Sequence, residues 1–177
     1  MPNYRRNHIE GGCYFFTINL LERHRNPLLV QHIDVLRNVI RRVRMKYPFY
    51  IDAWVVLPDH MHCIWTLPIG DIDYSTRIRL IKTLFVNEMP KLEQLSKVRQ
   101  QRGEHGIWQR CFWEHTIRNE EDYANHMDYL HYNPVKHGHV TRVGDWPYST
   151  FRYHVKNGVY PENWGACDMD IQAGEPG

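Results

Sequence analysis

Cysteine is scarce in this chain: Cys13, Cys63, Cys111 and Cys167 stand about fifty residues apart among 177 and form no Cys-x-x-Cys pair. That excludes a disulfide framework and a thiolate zinc knuckle, and suits a reducing compartment. No apolar run approaches the ~20 residues needed to cross a bilayer, and Met1-Pro2-Asn3-Tyr4-Arg5-Arg6 leads into no apolar leader. A cytoplasmic protein is expected. Charge of one sign is missing too: 22 basic against 20 acidic residues leave +2, too little to announce a nucleic-acid partner by itself. There is no internal repeat.

What is present fits a single soluble domain. The composition, 42% hydrophobic and 24% charged, can bury a core and excludes wholesale disorder. Six Trp and 11 Tyr suit either an aromatic core or stacking on bases. From His154 onward Lys156 alone faces Glu162, Asp168, Asp170 and Glu175, so the excess of positive charge lies in residues 1–153. We therefore expect a folded domain over 1–153 and a loose acidic tail over 154–177, able to compete with phosphates for the basic surface.

Residue patterns set the order of elements. Cys13 to Leu20 reads as a buried strand. Ile33, Leu36, Ile40, Val43 and Tyr47 recur at helical steps over Gln31 to Lys46, with Arg37, Arg41 and Arg44 on the opposite face. Phe49–Leu57 and Met61–Leu67 flank a Pro58-Asp59 corner and form a hairpin. Ser75 or Thr76 caps a second helix that Pro90 kinks or ends, and Ile107 to Ile117 is a fourth strand. This β-α-β-β-α-β order permits an α+β, ferredoxin-like split arrangement: an antiparallel sheet with two helices on one face. A third helix follows, capped by Asn119 and stopped at Asn133-Pro134, with Tyr123, Met127 and Leu130 as its core row. Asp122, His126, Tyr129 and Asn133 run beside that row. Trp146 to Phe151 is an apolar clamp against the domain.

The chemistry centres on Trp54 to Trp65, where Pro58-Asp59 is followed by His60-Met61-His62. Side chains alternate along a strand, so both imidazoles leave the same face, roughly 7 Å apart, while Met61 and Cys63 point the other way. Two neutral imidazoles on an apolar strand each need a polar partner, and one divalent ion serves both. Their spacing alone admits Zn2+ as well as Mn2+. If the Tyr129 helix crosses that end of the sheet, the site gains a hydroxyl nucleophile and an amide oxygen from Asn133, a set suited to phosphoryl transfer. An unperturbed phenol titrates near 10 and needs activation; His126 is a candidate base.

The hydrophobic-Pro58-Asp59-His60-Met61-His62 run resembles the His-hydrophobic-His (HUH) motif of single-strand DNA transposases. Tyr129-Leu130-His131-Tyr132-Asn133-Pro134-Val135-Lys136-His137-Gly138 resembles the tyrosine segment of the REP-associated tyrosine transposases, the domesticated branch of the insertion-sequence group with one catalytic tyrosine. Tyr4-Arg5-Arg6, Gly11 to Thr17, Phe112-Trp113-Glu114-His115 and Trp146-Pro147-Tyr148-Ser149 fit as well, so the likeness covers about residues 4 to 151. It implies a ferredoxin-like nuclease domain acting on single-stranded DNA folded as a REP/BIME-type hairpin. Cleavage there leaves a 5′-phosphotyrosine and uses Mg2+ or Mn2+. Carried over, His60 and His62 are ligands and Tyr129 the nucleophile, with Tyr132 its rival and Tyr123 a distant third. Asn133 takes the place where related transposases use Gln as third ligand. Arg5, Arg6, Lys97, Arg99, Arg102, Arg118 and Lys136 are candidates for DNA contact. A monomer is expected, although insertion-sequence relatives swap the tyrosine helix between two subunits. Two other functions stay open: a catalytically silent protein that binds hairpin DNA and regulates, and a Zn2+ hydrolase using water.

Overall fold

The computed structural model describes residues 5–90 and 106–166. Four strands form one sheet, β1 (Cys13–Asn19), β2 (Tyr50–Val56), β3 (His60–Thr66) and β4 (Trp113–Thr116). They lie in the order β2-β3-β1-β4 with antiparallel neighbours throughout, which is the ferredoxin-like arrangement expected. The fourth strand is far shorter than the expected 107–117; Trp108 makes only an isolated bridge to Leu20.

Alternation sorts the core into two layers. Tyr14, Phe16, Ile18, Met61, Cys63 and Trp65 project to one face, where α2 (Ile33–Lys46), preceded by the single turn α1 (Leu28–Gln31), packs with α3 (Tyr74–Glu88). The α2 row Leu36, Val39, Ile40 and Val43 is buried at helical spacing, as expected. Helix α3 is capped by Asp73, whose carboxylate accepts from Thr76 N at 2.9 Å, rather than by Ser75 or Thr76. A cap needs a non-helical backbone with its oxygen aimed at the first turn, and Asp73 meets both terms one residue before the helix begins.

Phe15, Ala53, Val55 and Ile64 face the other way, against α4 (Glu120–Lys136) and α5 (Phe151–Lys156). Helix α4 is thus the cover of the second face. Asn119 caps it, accepting from Asp122 N at 2.8 Å. The helix does not stop at Asn133-Pro134: it runs to Lys136 with Pro134 inside. Proline disfavours helical geometry in the residue before it, but Asn133 and Pro134 are both buried here, and packing outweighs the local bias.

The Trp146–Phe151 clamp runs along the free edge of β2. Val56 N donates to Tyr148 O at 2.8 Å, Thr150 N to Trp54 O at 2.9 Å, and Trp146 Nε1 to Val56 O at 3.0 Å. The edge is closed to other strands. The division expected after residue 153 falls inside α5, and the chain stays packed as far as Trp164; residues 167–177 lie outside the described residues. His154 Nε2 donates to Asp52 O at 2.9 Å, Tyr160 is buried with its hydroxyl on Asp128 Oδ1 at 2.9 Å, and the Trp164 ring packs tilted against Tyr160. Aromatic mass at Tyr160 and Trp164, not the net charge of the segment, decides that outcome. No helix among the described residues is long and apolar enough to cross a membrane.

Candidate active site

The register sets His62 opposite Thr17 of β1 on one side and Val55 of β2 on the other, in the middle of the sheet. His60 and His62 share the face under α4, their ring centres 4.9 Å apart and nearly perpendicular. Each has its Nδ1 engaged. Thr17 Oγ1 lies 2.8 Å from His62 Nδ1, and Asp59 Oδ1 accepts from His60 Nδ1 at 2.7 Å while Oδ2 accepts from Arg23 Nε at 2.8 Å. A hydroxyl or carboxylate on one ring nitrogen fixes the imidazole and leaves the other for an ion, as behind most metal-bound histidines. Burial, reinforced by His60 and His137, holds His62 well below the ordinary imidazole range, so its lone pair is available at neutral pH. Burial opposes the charge of Asp59, but the bonds from His60 and Arg23 prevail and keep it ionised.

Helix α4 brings the second half of the site. The Tyr129 ring sits 5.5 Å from the His62 ring and 5.9 Å from Phe15, all within one chain. One turn on, Asn133 is fully buried against His62, and neither its Oδ1 nor its Nδ2 makes a conventional hydrogen bond. Leaving a buried amide so costs about 1–3 kcal/mol, and an ion accepting Oδ1 as ligand would remove the penalty. Two imidazole nitrogens and one amide oxygen suit Mn2+ or Zn2+, with Mg2+, which favours oxygen, the weaker match by donor type. Because α4 continues through Pro134, Asn133 keeps its helical offset from Tyr129, which an early stop would have lost. The last turn adds Lys136, exposed, with Nζ 4.7 Å from the Tyr129 ring centre. His137 lies with its ring 5.3 Å from His60, and burial together with His60 and Lys136 brings its pKa down to about 4.

The other tyrosines point elsewhere. Tyr132 packs edge-on to Trp164, and Tyr123 donates to Asp52 Oδ1 at 3.3 Å on β2. His126 is buried with its Nδ1 donating to Asp122 O at 2.8 Å; its ring stacks on His115 and lies 5.0 Å from Phe15, which stands between it and His62. Arg6 is held in an ion pair with Glu114 and over the Phe112 ring, which binds it to the domain, whereas Arg5 and Arg118 are exposed. Lys97, Arg99 and Arg102 lie outside the described residues. Sequence reading passed over Thr17, Asp59, Arg23, His137 and His115. The adjacent Asp59-His60 pair was a usable signal; Thr17 and His115 carried none, since strand pairing alone brings them in.

No protein-family model matches the chain. A REP-associated tyrosine transposase of Escherichia coli (strain K12) is 49% identical over 175 residues, 99% of this chain and 98% of that protein. A Haemophilus influenzae protein whose name assigns it provisionally to the same family is also 49% identical, over 93% of this chain and 94% of its own length. The fold superposes with a TM-score of 0.80, at 46% identity and full coverage of both chains, on a solved REP-associated tyrosine transposase bound to a REP hairpin. At that identity over nearly its whole length, the chain belongs to the REP-associated tyrosine transposases and is a transposase-type enzyme.

Proposed function

We propose that this protein nicks and rejoins single-stranded DNA at a REP-type hairpin, with Tyr129 as nucleophile and His60, His62 and Asn133 holding a divalent cation. One observation carries the reading: Tyr129, 5.5 Å ring to ring from His62, shares a helix face with Asn133, whose fully buried amide faces the same histidine, in the same chain. A bound Mg2+ or Mn2+ supplies Lewis-acid stabilisation of the charge that gathers on the phosphate. Tyr129 Oη attacks phosphorus in line; the new O–P bond forms as the P–O3′ bond breaks. The phenolic proton passes to water, and the departing 3′ oxygen takes one up. Rejoining is the reverse: a 3′-hydroxyl attacks the tyrosyl ester and Tyr129 recovers its proton, so the ester conserves the bond energy and no ATP is needed. Lys136 adds positive charge beside the reacting phosphate. His126 receives no step, because Phe15 separates it from His62.

The rival functions fit less well. The ring packed edge-on to His62 is that of a tyrosine, which favours a covalent route over a water-using Zn2+ hydrolase. The solved relative bound to a REP hairpin supports the same class of DNA here. Tyr129 lies against His62 of its own chain, which supports a monomer as the working unit. The test is a REP-type hairpin oligonucleotide incubated with Mn2+ and resolved on a denaturing gel. We expect a covalent adduct from the parent and from Tyr132→Phe, and none from Tyr129→Phe. Adduct from Tyr129→Phe at the parent's level would overturn the assignment; tight hairpin binding without adduct under any divalent ion would leave a silent DNA-binding regulator.

A further inference from the structure

A second group of side chains of metal-ligating type lies one aromatic ring from His62. His115 of β4 and Asp122 and His126 of the first turns of α4 place three donor atoms within 4.8 Å of one another. His115 Nε2 is 2.8 Å from Asp122 Oδ2, and His126 Nδ1 is 3.1 Å from Asp122 Oδ1; that nitrogen now donates to Asp122 O, and an ion would take the place of its proton. The two imidazoles are stacked, 4.4 Å apart and 14° from parallel, so both edges converge on one carboxylate. Around a tetrahedral Zn2+ with bonds of about 2.0–2.1 Å, neighbouring ligand atoms sit about 3.3 Å apart. The two spacings to the carboxylate, 2.8 and 3.1 Å, are shorter than that, as hydrogen bonds are, and the remaining spacing is within 4.8 Å, so an ion would open the first two and draw the imidazoles together.

The chemistry of the set narrows the ion. Two imidazoles with one carboxylate suit Zn2+ and its imidazole-preferring neighbours, not Mg2+, which favours oxygen. His115 and Asp122 are each about one-fifth exposed, leaving a side open for water as fourth ligand. The carboxylate also accepts from Arg118 N at 2.9 Å, which orients it as bound carboxylates usually are.

We infer that His115, Asp122 and His126 form a Zn2+-class site, distinct from the His60–His62–Asn133 centre, that ties β4 to the helix carrying Tyr129. The connection is short: the His126 ring contacts Phe15, and Phe15 contacts both Tyr129 and His62. An ion here fastens the start of α4 to the sheet two turns before the nucleophile.

The test uses the full chain with His60→Ala and His62→Ala together, so that its outcome does not depend on the transposase centre. After equilibrium dialysis against Zn2+, elemental analysis should find one ion per chain in that background. Co2+ should give the intense visible bands of a four-coordinate site, and Zn2+ should raise the melting temperature. Adding His115→Ala, or separately Asp122→Asn, should remove the ion, the Co2+ spectrum and the thermal shift. Circular dichroism identifies any variant that fails to fold, and the other then decides. No Zn2+ in the His60→Ala/His62→Ala background, or binding unchanged by both further substitutions, overturns the site.

Discussion

The two faces of the sheet bury side chains of different kinds, and the difference separates stability from function. Under α2 and α3 the layer is aromatic and aliphatic, and its buried charges are partnered: Arg77 bonds Asp71, Asp73 O, Tyr47 O and Pro48 O, and Glu114, beside Phe16, is paired with Arg6. Under α4 and α5 the layer holds His62, His126, His131, Asn133 and His154, and the Asn133 amide is left without a conventional partner. Partnered charges hold a fold in place, and a single indole N–H such as that of Trp108 in the first layer lacks a partner without forming a donor set; a buried amide beside two histidines and a tyrosine is a donor set, and marks where a ligand completes the structure.

The contrast breaks if damage to the first face changes the chemistry directly. Trp65, buried between Phe16 and Phe49, points away from Tyr129. Trp65→Ala should cost about 3–5 kcal/mol in urea unfolding, the usual price of emptying so large a core position. Adduct formation per folded molecule should stay at the parent's level.

Acid should act through the second face. His131 shares a hydrogen bond with Thr150 Oγ1 at 2.8 Å and packs on His154 and Tyr160. Burial, then His154, lowers its pKa from 6.5 to about 3. Its folded pKa lies below its unfolded one, so the unfolded chain binds the extra proton. Stability is full above pH 6.5 and falls as pH drops toward 3. Each unit of pKa difference is worth about 1.4 kcal/mol, so the loss by about pH 4 is on the order of 3 kcal/mol. His62, also buried and neutral, pulls in the same direction. Urea midpoints of the parent should decline between pH 7 and 4, and His131→Gln should flatten that slope. An equal slope in both would show that His131 is not the group responsible.

A smaller effect of opposite sign sharpens the comparison. Asn133→Leu keeps the volume and removes two buried polar atoms, so it should stabilise the apo protein by about 1–3 kcal/mol in urea. The same substitution should abolish the Mn2+-induced rise in melting temperature and most adduct formation. A loss of stability in the metal-free protein would mean that the amide is well satisfied as it stands.

Much of this was legible in the residues. Alternation through His60-Met61-His62 gave the shared face of the two imidazoles, and helical spacing put Tyr129 and Asn133 one turn apart. The element order gave the ferredoxin-like sheet. What failed was set by tertiary context. Pro134 reads locally as a stop, yet burial carries α4 to Lys136. Residues 154–164 fall in the stretch that reads as a tail by charge, yet Tyr160 and Trp164 pack that part down, and the rest from 167 lies outside the described residues. His115 reaches Asp122 and His126 only through strand pairing, which spacing along the chain does not encode.

Lys136 makes the last and smallest test, because it sits at the rim of the second face. It is exposed, seven residues from Tyr129 on the same side of α4, with its ammonium 4.7 Å from the tyrosine ring centre. That position lets it meet a phosphate oxygen without taking part in the fold. Lys136→Ala should therefore leave the melting temperature within the scatter expected of surface changes. It should slow adduct formation about tenfold, equivalent to about 1.4 kcal/mol. Because a charge contact with the phosphate weakens with salt, the parent's advantage over the variant should shrink as ionic strength rises. Lys136→Arg should recover most of the rate if charge is what matters. If Lys136→Ala instead lowers the melting temperature and the rate together, and Lys136→Arg rescues neither, the lysine serves to pack the Tyr129 ring, and the functional face extends one residue less far than drawn.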